Sequence, residues 1–234
     1  MSDDIRFGTP LYTTAEAARV IGVPATTLAT WTKGDERARH AGRPIVGQAV
    51  VTAFPATTAA PSIPFVGLVE ALVLAAVRQA GVPMQRVRAV LAALERELGL
   101  SHGLASSRLP TNGAEVLFDL GKTDGTDVDL IDQLVVVRNG QRVFVETISE
   151  YLSRIEYGPD GYAGLIHVPG YRTDVVCDPL RSFGRPIFAP GAARVDDVIS
   201  RFQTGATIEE LTGEFGVGFA DIEDALRVAS RRAA

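Results

Sequence analysis

The sequence predicts an α+β protein, with a helix-turn-helix-like unit near each end and a small antiparallel sheet in the middle. Three observations lead there. Residues 195–229 carry apolar side chains at helical spacing in three short segments, each with its own start and stop signal. Residues 12–33 show a second helix, turn, helix pattern. Between them, residues 100–176 hold short β-leaning runs separated by turn dipeptides.

The C-terminal helices are the plainest. Val195, Val198, Ile199 and Phe202 fall at i, i+3, i+4, i+7, and Gly205 stops that segment. Thr207 and Glu210 form a capping box that opens the second helix, whose inward residues are Ile208, Leu211 and Phe215, with Gly216 at its end. Phe219, Ile222, Leu226 and Ala229 share one face of the third, and Val217 is placed to staple against Ile222. Helices this short cannot each bury a face alone, so the sequence predicts that they pack together as a trihelical unit.

The run Cys177-Asp178-Pro179, then Phe183-Gly184-Arg185-Pro186-Ile187-Phe188, then Gly205-Ala206-Thr207 and Asp221-Ile222-Glu223-Asp224-Ala225-Leu226, resembles a widespread bacterial family of VapB-type antitoxins. Such antitoxins are encoded beside PIN-domain ribonuclease toxins. The resemblance covers about the last 58 residues. Many relatives read Gly-Thr-Arg-Ile after the Gly-x-Pro-Val-Ile element, where this chain has Ala189-Pro190-Gly191-Ala192-Ala193-Arg194-Val195. The resemblance implies that an arginine enters the carboxylate cluster of the toxin's metal site. Near this end of the sequence the candidates are Arg227, Arg231 and Arg232.

At the other end, Thr13-Thr14-Ala15-Glu16 is a capping box that opens a helix running through Ile21. Gly22-Val23 makes a turn and Pro24 stands at the expected first position of the next helix. Leu28 and Trp31 point inward and Gly34 ends the segment. Two β-leaning runs around Gly47-Gln48, within 44–54, are the candidate wing hairpin. Phe65–Ala80 reads as a helix with Leu68, Leu72, Ala75, Ala76 and Gln79 on successive turns, and Met84–Leu98 as another with Val87, Val90, Leu91, Leu94 and Leu98 inward. In this order the pieces over residues 11–99 resemble a MerR-type winged helix. Two departures stand out: Ala29 and Thr30 occupy positions where MerR relatives commonly carry arginine, and the wing-to-helix junction is Pro61-Ser62-Ile63-Pro64. The long dimerising helix of those proteins is absent.

In the middle, Val116–Leu120 is a strand candidate. Leu134–Arg138 and Arg142–Val145 flank Asn139-Gly140, a type I′ hairpin signal. Thr147–Arg154 reads as a short helix. Arg154–Tyr157 and Tyr162–Val168 flank a second turn at Gly158-Pro159-Asp160-Gly161. The expected domains are 1–99, 100–176 and 177–234.

Composition bounds the function. The chain has 234 residues, 46% hydrophobic and 22% charged, which suits a soluble globular protein. No apolar run is long enough to span a bilayer, the start Met1-Ser2-Asp3-Asp4 lacks a signal-peptide core, and Cys177 is the single cysteine. A cytoplasmic, non-membrane protein without disulfides or a cysteine zinc site is expected. The net charge is −5, yet residues 1–60 hold six basic and five acidic side chains, while 100–177 hold six basic and eleven acidic. Only the first hundred residues are electrostatically permissive for nucleic acid.

The candidate DNA-binding residues are therefore Thr26, Thr27, Thr30, Lys33, Arg37, Arg39 and Arg43. The acidic helix around Asp221, Glu223 and Asp224 is assigned to dimerisation or toxin contact. The run Asp124–Asp132 lacks the spacing and final glutamate of a calcium loop. His40, His102 and His167 read as surface or hydrogen-bonded histidines, Trp31 as core. Neither Ser106-Ser107 nor Cys177 has a catalytic context. No cofactor, metal or catalysis is expected. The expected function is a homodimeric antitoxin that neutralises a PIN-domain ribonuclease and represses its own operon. The alternative is a ligand-responsive MerR-like regulator without a toxin partner, with the middle sheet as sensor.

Overall fold

The computed structural model describes residues 4–34, 39–40, 43–44, 49–57, 60–80, 101–109 and 150–233, with isolated helical residues between 84 and 99. The strand candidates Val116–Leu120, Leu134–Arg138 and Arg142–Val145, the Asn139-Gly140 turn and the Asp124–Asp132 run lie outside the described residues.

The elements in order are α1 (Ile5–Gly8), α2 (Thr14–Ile21), α3 (Ala25–Lys33), β1 (Arg39–His40), β2 (Arg43–Pro44), α4 (Phe65–Gln79), β3 (Ile155–Tyr157), β4 (Ala163–His167), β5 (Val175–Cys177), β6 (Ile187–Phe188), α5 (Val195–Gln203), α6 (Ile208–Phe215) and α7 (Phe219–Ala233). Residues 150–152 are helical, within the expected Thr147–Arg154 segment. β1 and β2 pair antiparallel, Arg39 opposite Pro44 and His40 opposite Arg43. The small sheet has the order β3-β4-β5-β6. Ile166 faces Cys177 across β4 and β5, and Val176 faces Ile187 across β5 and β6.

The wing hairpin was expected at Gly47-Gln48; the ladder instead lies at Arg39–Pro44, and residues 45–48 are outside the described residues. The chain between its strands is Ala41-Gly42, and a two-residue connection with glycine was the local hairpin signal.

The chain divides into two compact units, each built from separated stretches. One comprises residues 1–26, 53–65 and 164–234, the other residues 27–52 and 66–163.

In the first unit, Leu11 and Tyr12 donate to the Ile63 carbonyl, and Ser62 and Ile63 donate back to Tyr12. The Tyr12 hydroxyl donates to the Gly184 carbonyl at 2.7 Å, and Arg185 reaches Glu16 at 2.7 Å. The buried layer combines Ile166, Val175, Val176, Cys177, Ile187 and Phe188 from the sheet with Val195, Val198, Leu211, Ile222, Ala225 and Val228 from the helices and Val217 from the turn between α6 and α7. α5, α6 and α7 contact one another. Two residues assigned to their inner faces are exposed instead: Phe202 at 41% and Phe219 at 48%. Each sits at the end of its stripe, where a short helix has outrun the surface that could cover it.

The second unit is organised on α4. Between Val66 and Val77 nearly every side chain is buried, so the helix has no solvent face over that length. Its one acid, Glu70, is buried and satisfied: the Thr52 amide donates to Oε2 at 2.7 Å and His102 Nδ1 lies 2.9 Å from Oε1. Gln79, assigned to the inner face, is exposed and accepts from the Tyr151 hydroxyl. The described residues of the next helix include Val87, buried as expected. Val90, Leu94 and Leu98 lie outside them.

Candidate functional site

The helix, turn, helix segment forms as its local chemistry dictates. Thr13 caps α2: the Glu16 amide donates to its hydroxyl at 3.2 Å, and the Thr13 amide donates to the Glu16 carboxylate at 2.8 Å. Gly22 closes the helix in the left-handed conformation, φ +77°, and both Gly22 and Val23 donate to the Ala18 carbonyl. Helix α3 begins at Ala25, one residue after the position expected for Pro24. Leu28 and Trp31 are buried, and the Trp31 carbonyl accepts from Val50 and Val51, which ties the far end of α3 to the chain that follows the hairpin.

Partial burial pushes the Glu16 carboxyl up. The hydrogen bond from the Thr13 amide and the contact with Arg185 outweigh that, and the group ends below its ordinary range. The Tyr12 hydroxyl is held well above its ordinary range, chiefly by burial and then by Cys177. Burial likewise raises the Cys177 thiol, an environment opposite to that of a reactive thiolate.

Burial sorts the residues expected to meet DNA. Thr26, Thr30 and Lys33 are exposed and Thr27 is half-buried. The first three fall at i, i+4, i+7, one solvent-facing stripe of α3 opposite Leu28 and Trp31. Arg39 and Arg43 are placed on the two strands of the hairpin, and Arg37 lies outside the described residues. The stripe therefore offers two hydroxyls and one cation.

The C-terminal arginines already have partners. Arg227 pairs with Glu223 at 3.0 Å and approaches Asp224 at 3.4 Å. Arg231 donates to the Gly170 carbonyl at 3.5 Å. Arg232 donates to the Pro169 carbonyl at 3.3 Å, and its guanidinium lies 5.2 Å from the Tyr171 ring centroid.

The acids of α7 also have structural partners. Buried Asp224 accepts from the Arg172 amide at 2.6 Å and the Thr173 amide at 3.2 Å, and Asp221 accepts from the Thr173 hydroxyl at 2.7 Å. His167 meets Asp174 at 2.7 Å and His102 meets Glu70, so both read as hydrogen-bonded histidines.

Sequence reading does not single out Tyr12, Glu70 or Arg185. Glu70 has a usable signal, as the one acid in a mostly apolar helix. The partner of Tyr12 lies 172 residues away, and no local pattern encodes it.

Comparison with known proteins gives first a class. Residues 10–91 match the family described as "Putative DNA-binding HTH domain". The chain is also 44% identical over 229 residues, 95% of each chain, to the Mycobacterium tuberculosis protein named "Putative antitoxin VapB45". It is 28% identical over 222 residues, 92% of this chain and 88% of the other, to "Uncharacterized protein Rv2308" of the same organism. The crystal structure of Rv2018 from M. tuberculosis matches with a TM-score of 0.76 and 36% identity, covering 94% of this chain and 99% of that one. The chain belongs to the family of VapB45.

Proposed function

We propose that this chain is the non-enzymatic antitoxin of a type II toxin–antitoxin pair, neutralising a PIN-domain ribonuclease and repressing its own operon as a homodimer. The observation that carries this reading is the 44% identity to VapB45 over nearly the whole chain, together with the match of residues 10–91 to a helix-turn-helix family. The exposed stripe Thr26, Thr30 and Lys33 supports the DNA half. In a MerR-like winged helix, Thr27 and the arginines Arg37, Arg39 and Arg43 would add contacts to the phosphate backbone of the DNA. Arg227, Arg231 and Arg232 are the arginines for toxin contact. Each would exchange an intramolecular partner for a toxin carboxylate, a trade that a bidentate guanidinium–carboxylate pair can offset.

The test is co-purification with the product of a neighbouring PIN gene, followed by a ribonuclease assay and a gel shift on the upstream DNA. A stable complex with suppressed cleavage and a specific shift supports the reading. A PIN protein that neither co-purifies nor loses activity overturns it.

A further inference from the structure

The first compact unit contains a cavity of about 360 Å³, within the size range of small-molecule sites. Three arginines line it: Arg19 from α2, Arg185 from the turn before β6, and Arg232 from α7. Arg185 is ion-paired with Glu16. Among the described residues, Arg19 and Arg232 have no carboxylate within ion-pair distance. Arg232 is held in place by neutral groups, the Pro169 carbonyl and the Tyr171 ring. The cavity thus presents two cations not neutralised by an ion pair.

Two acids share the lining, Glu16 and Asp196. With three cations and two anions, the excess is a single positive charge. That balance suits a monoanion, because a second negative charge on the ligand would face Asp196 and Glu16 without compensation. The apolar part of the remaining wall is Val20, Pro186, Val195, Ile199 and Ala229, beside Gln203 and two tyrosines. An inorganic ion leaves that wall in contact with water, whereas a hydrocarbon or aromatic body covers it.

We propose that this cavity binds a small organic monocarboxylate, its carboxylate held by Arg19 and Arg232 and its apolar body set against Val20, Val195, Ile199 and Ala229. A guanidinium suits the task, because it stays charged when partly desolvated and presents two parallel donors to a carboxylate. Nothing in this assignment depends on a toxin or an operator.

Full-length protein without DNA is titrated by calorimetry with benzoate, with hexanoate, with benzamide as the uncharged counterpart of benzoate, and with inorganic phosphate. At least one of the two carboxylates is expected to bind more tightly than about 1 mM, with benzamide and phosphate far weaker. Arg19→Gln and Arg232→Gln are each expected to weaken the carboxylate about ten-fold or more, since a hydrogen bond to a charged group is removed. Arg201→Gln removes an exposed guanidinium paired with Glu214 outside the cavity and is expected to leave affinity unchanged. The proposal is overturned if neither carboxylate binds, if benzamide matches benzoate, if phosphate binds best, or if Arg201→Gln weakens binding as much as Arg19→Gln. Because no DNA or toxin is present, these outcomes are independent of whether the antitoxin reading survives.

Discussion

At the scale of single residues, Tyr12 shows how a distant contact is specified. Its hydroxyl is buried and donates to a carbonyl that Gly184 presents at φ +74°. A Cβ at position 184 would collide with that hydroxyl, so glycine is required there for close approach as well as for its backbone angle. Tyr12→Phe keeps the ring and removes the donor. It is expected to cost about 1–3 kcal/mol in a denaturant titration, because a buried carbonyl loses its partner. Glu16 gives a prediction in pH. Its folded carboxyl lies below the ordinary range, so its contribution is present above the unfolded pKa and is lost as pH falls through the folded one. Glu16→Gln is therefore expected to be roughly 0.5–1 kcal/mol less stable than the parent at neutral pH. The gap should close as pH falls below about 4. A gap that stayed constant into acid would refute the assignment.

At the scale of elements, the turn between β5 and β6 holds its backbone against steric preference. Ser182 and Phe183 adopt φ +49° and +52°, and Phe183 is 72% exposed beside Leu180 at 83%. Four backbone bonds hold the turn: Arg181 donates to Asp178, Gly184 to both Asp178 and Arg181, and Arg185 to Ser182. Phe183→Gly relieves the left-handed strain and buries nothing less, so thermal unfolding is expected to show unchanged or raised stability. For the candidate DNA element, replacing Arg37, Arg39 and Arg43 with alanine should flatten the salt dependence of operator binding. The expected change is about 0.9 in log–log slope for each phosphate that the variant no longer neutralises. An unchanged slope would move the DNA contacts away from the hairpin.

The same elements show what is legible from sequence. Both capping boxes, the Gly22 and Gly216 stops, the buried Trp31 and the three C-terminal helices are encoded within a few residues, so a local reading finds them. The hairpin escapes such a reading when β-propensity at 44–54 is weighed above a glycine-bearing two-residue connection. Phe202 and Phe219 escape it because periodicity gives the direction of a stripe and not the extent of what covers it. The Tyr12–Gly184 and Asp224–Arg172 contacts join residues far apart in sequence, where one chain offers no periodic signal.

At the scale of the whole molecule, symmetric dimers are the usual way for a single short recognition helix to reach a specific affinity. Light scattering at micromolar concentration is expected to give twice the monomer mass of 24.9 kDa, and a monomer mass would contradict the dimeric reading. Truncation after Ser230 removes Arg231 and Arg232, whose partners are exposed carbonyls and a tyrosine ring. Folding and operator binding are expected to persist while ribonuclease inhibition falls. Full inhibition by the truncated chain would shift attention from these arginines to another surface.

The interleaving of the first unit also has a consequence in time. A ribosome emits Tyr12 and Glu16 long before Gly184 and Arg185, their partners across 172 and 169 residues. At roughly 5–20 residues per second, about 10 to 35 seconds pass before those partners exist. Throughout that interval the start of every nascent chain lacks the groups that close over it. A protease or a chaperone present during synthesis therefore meets a different N-terminus from the one that the finished protein presents.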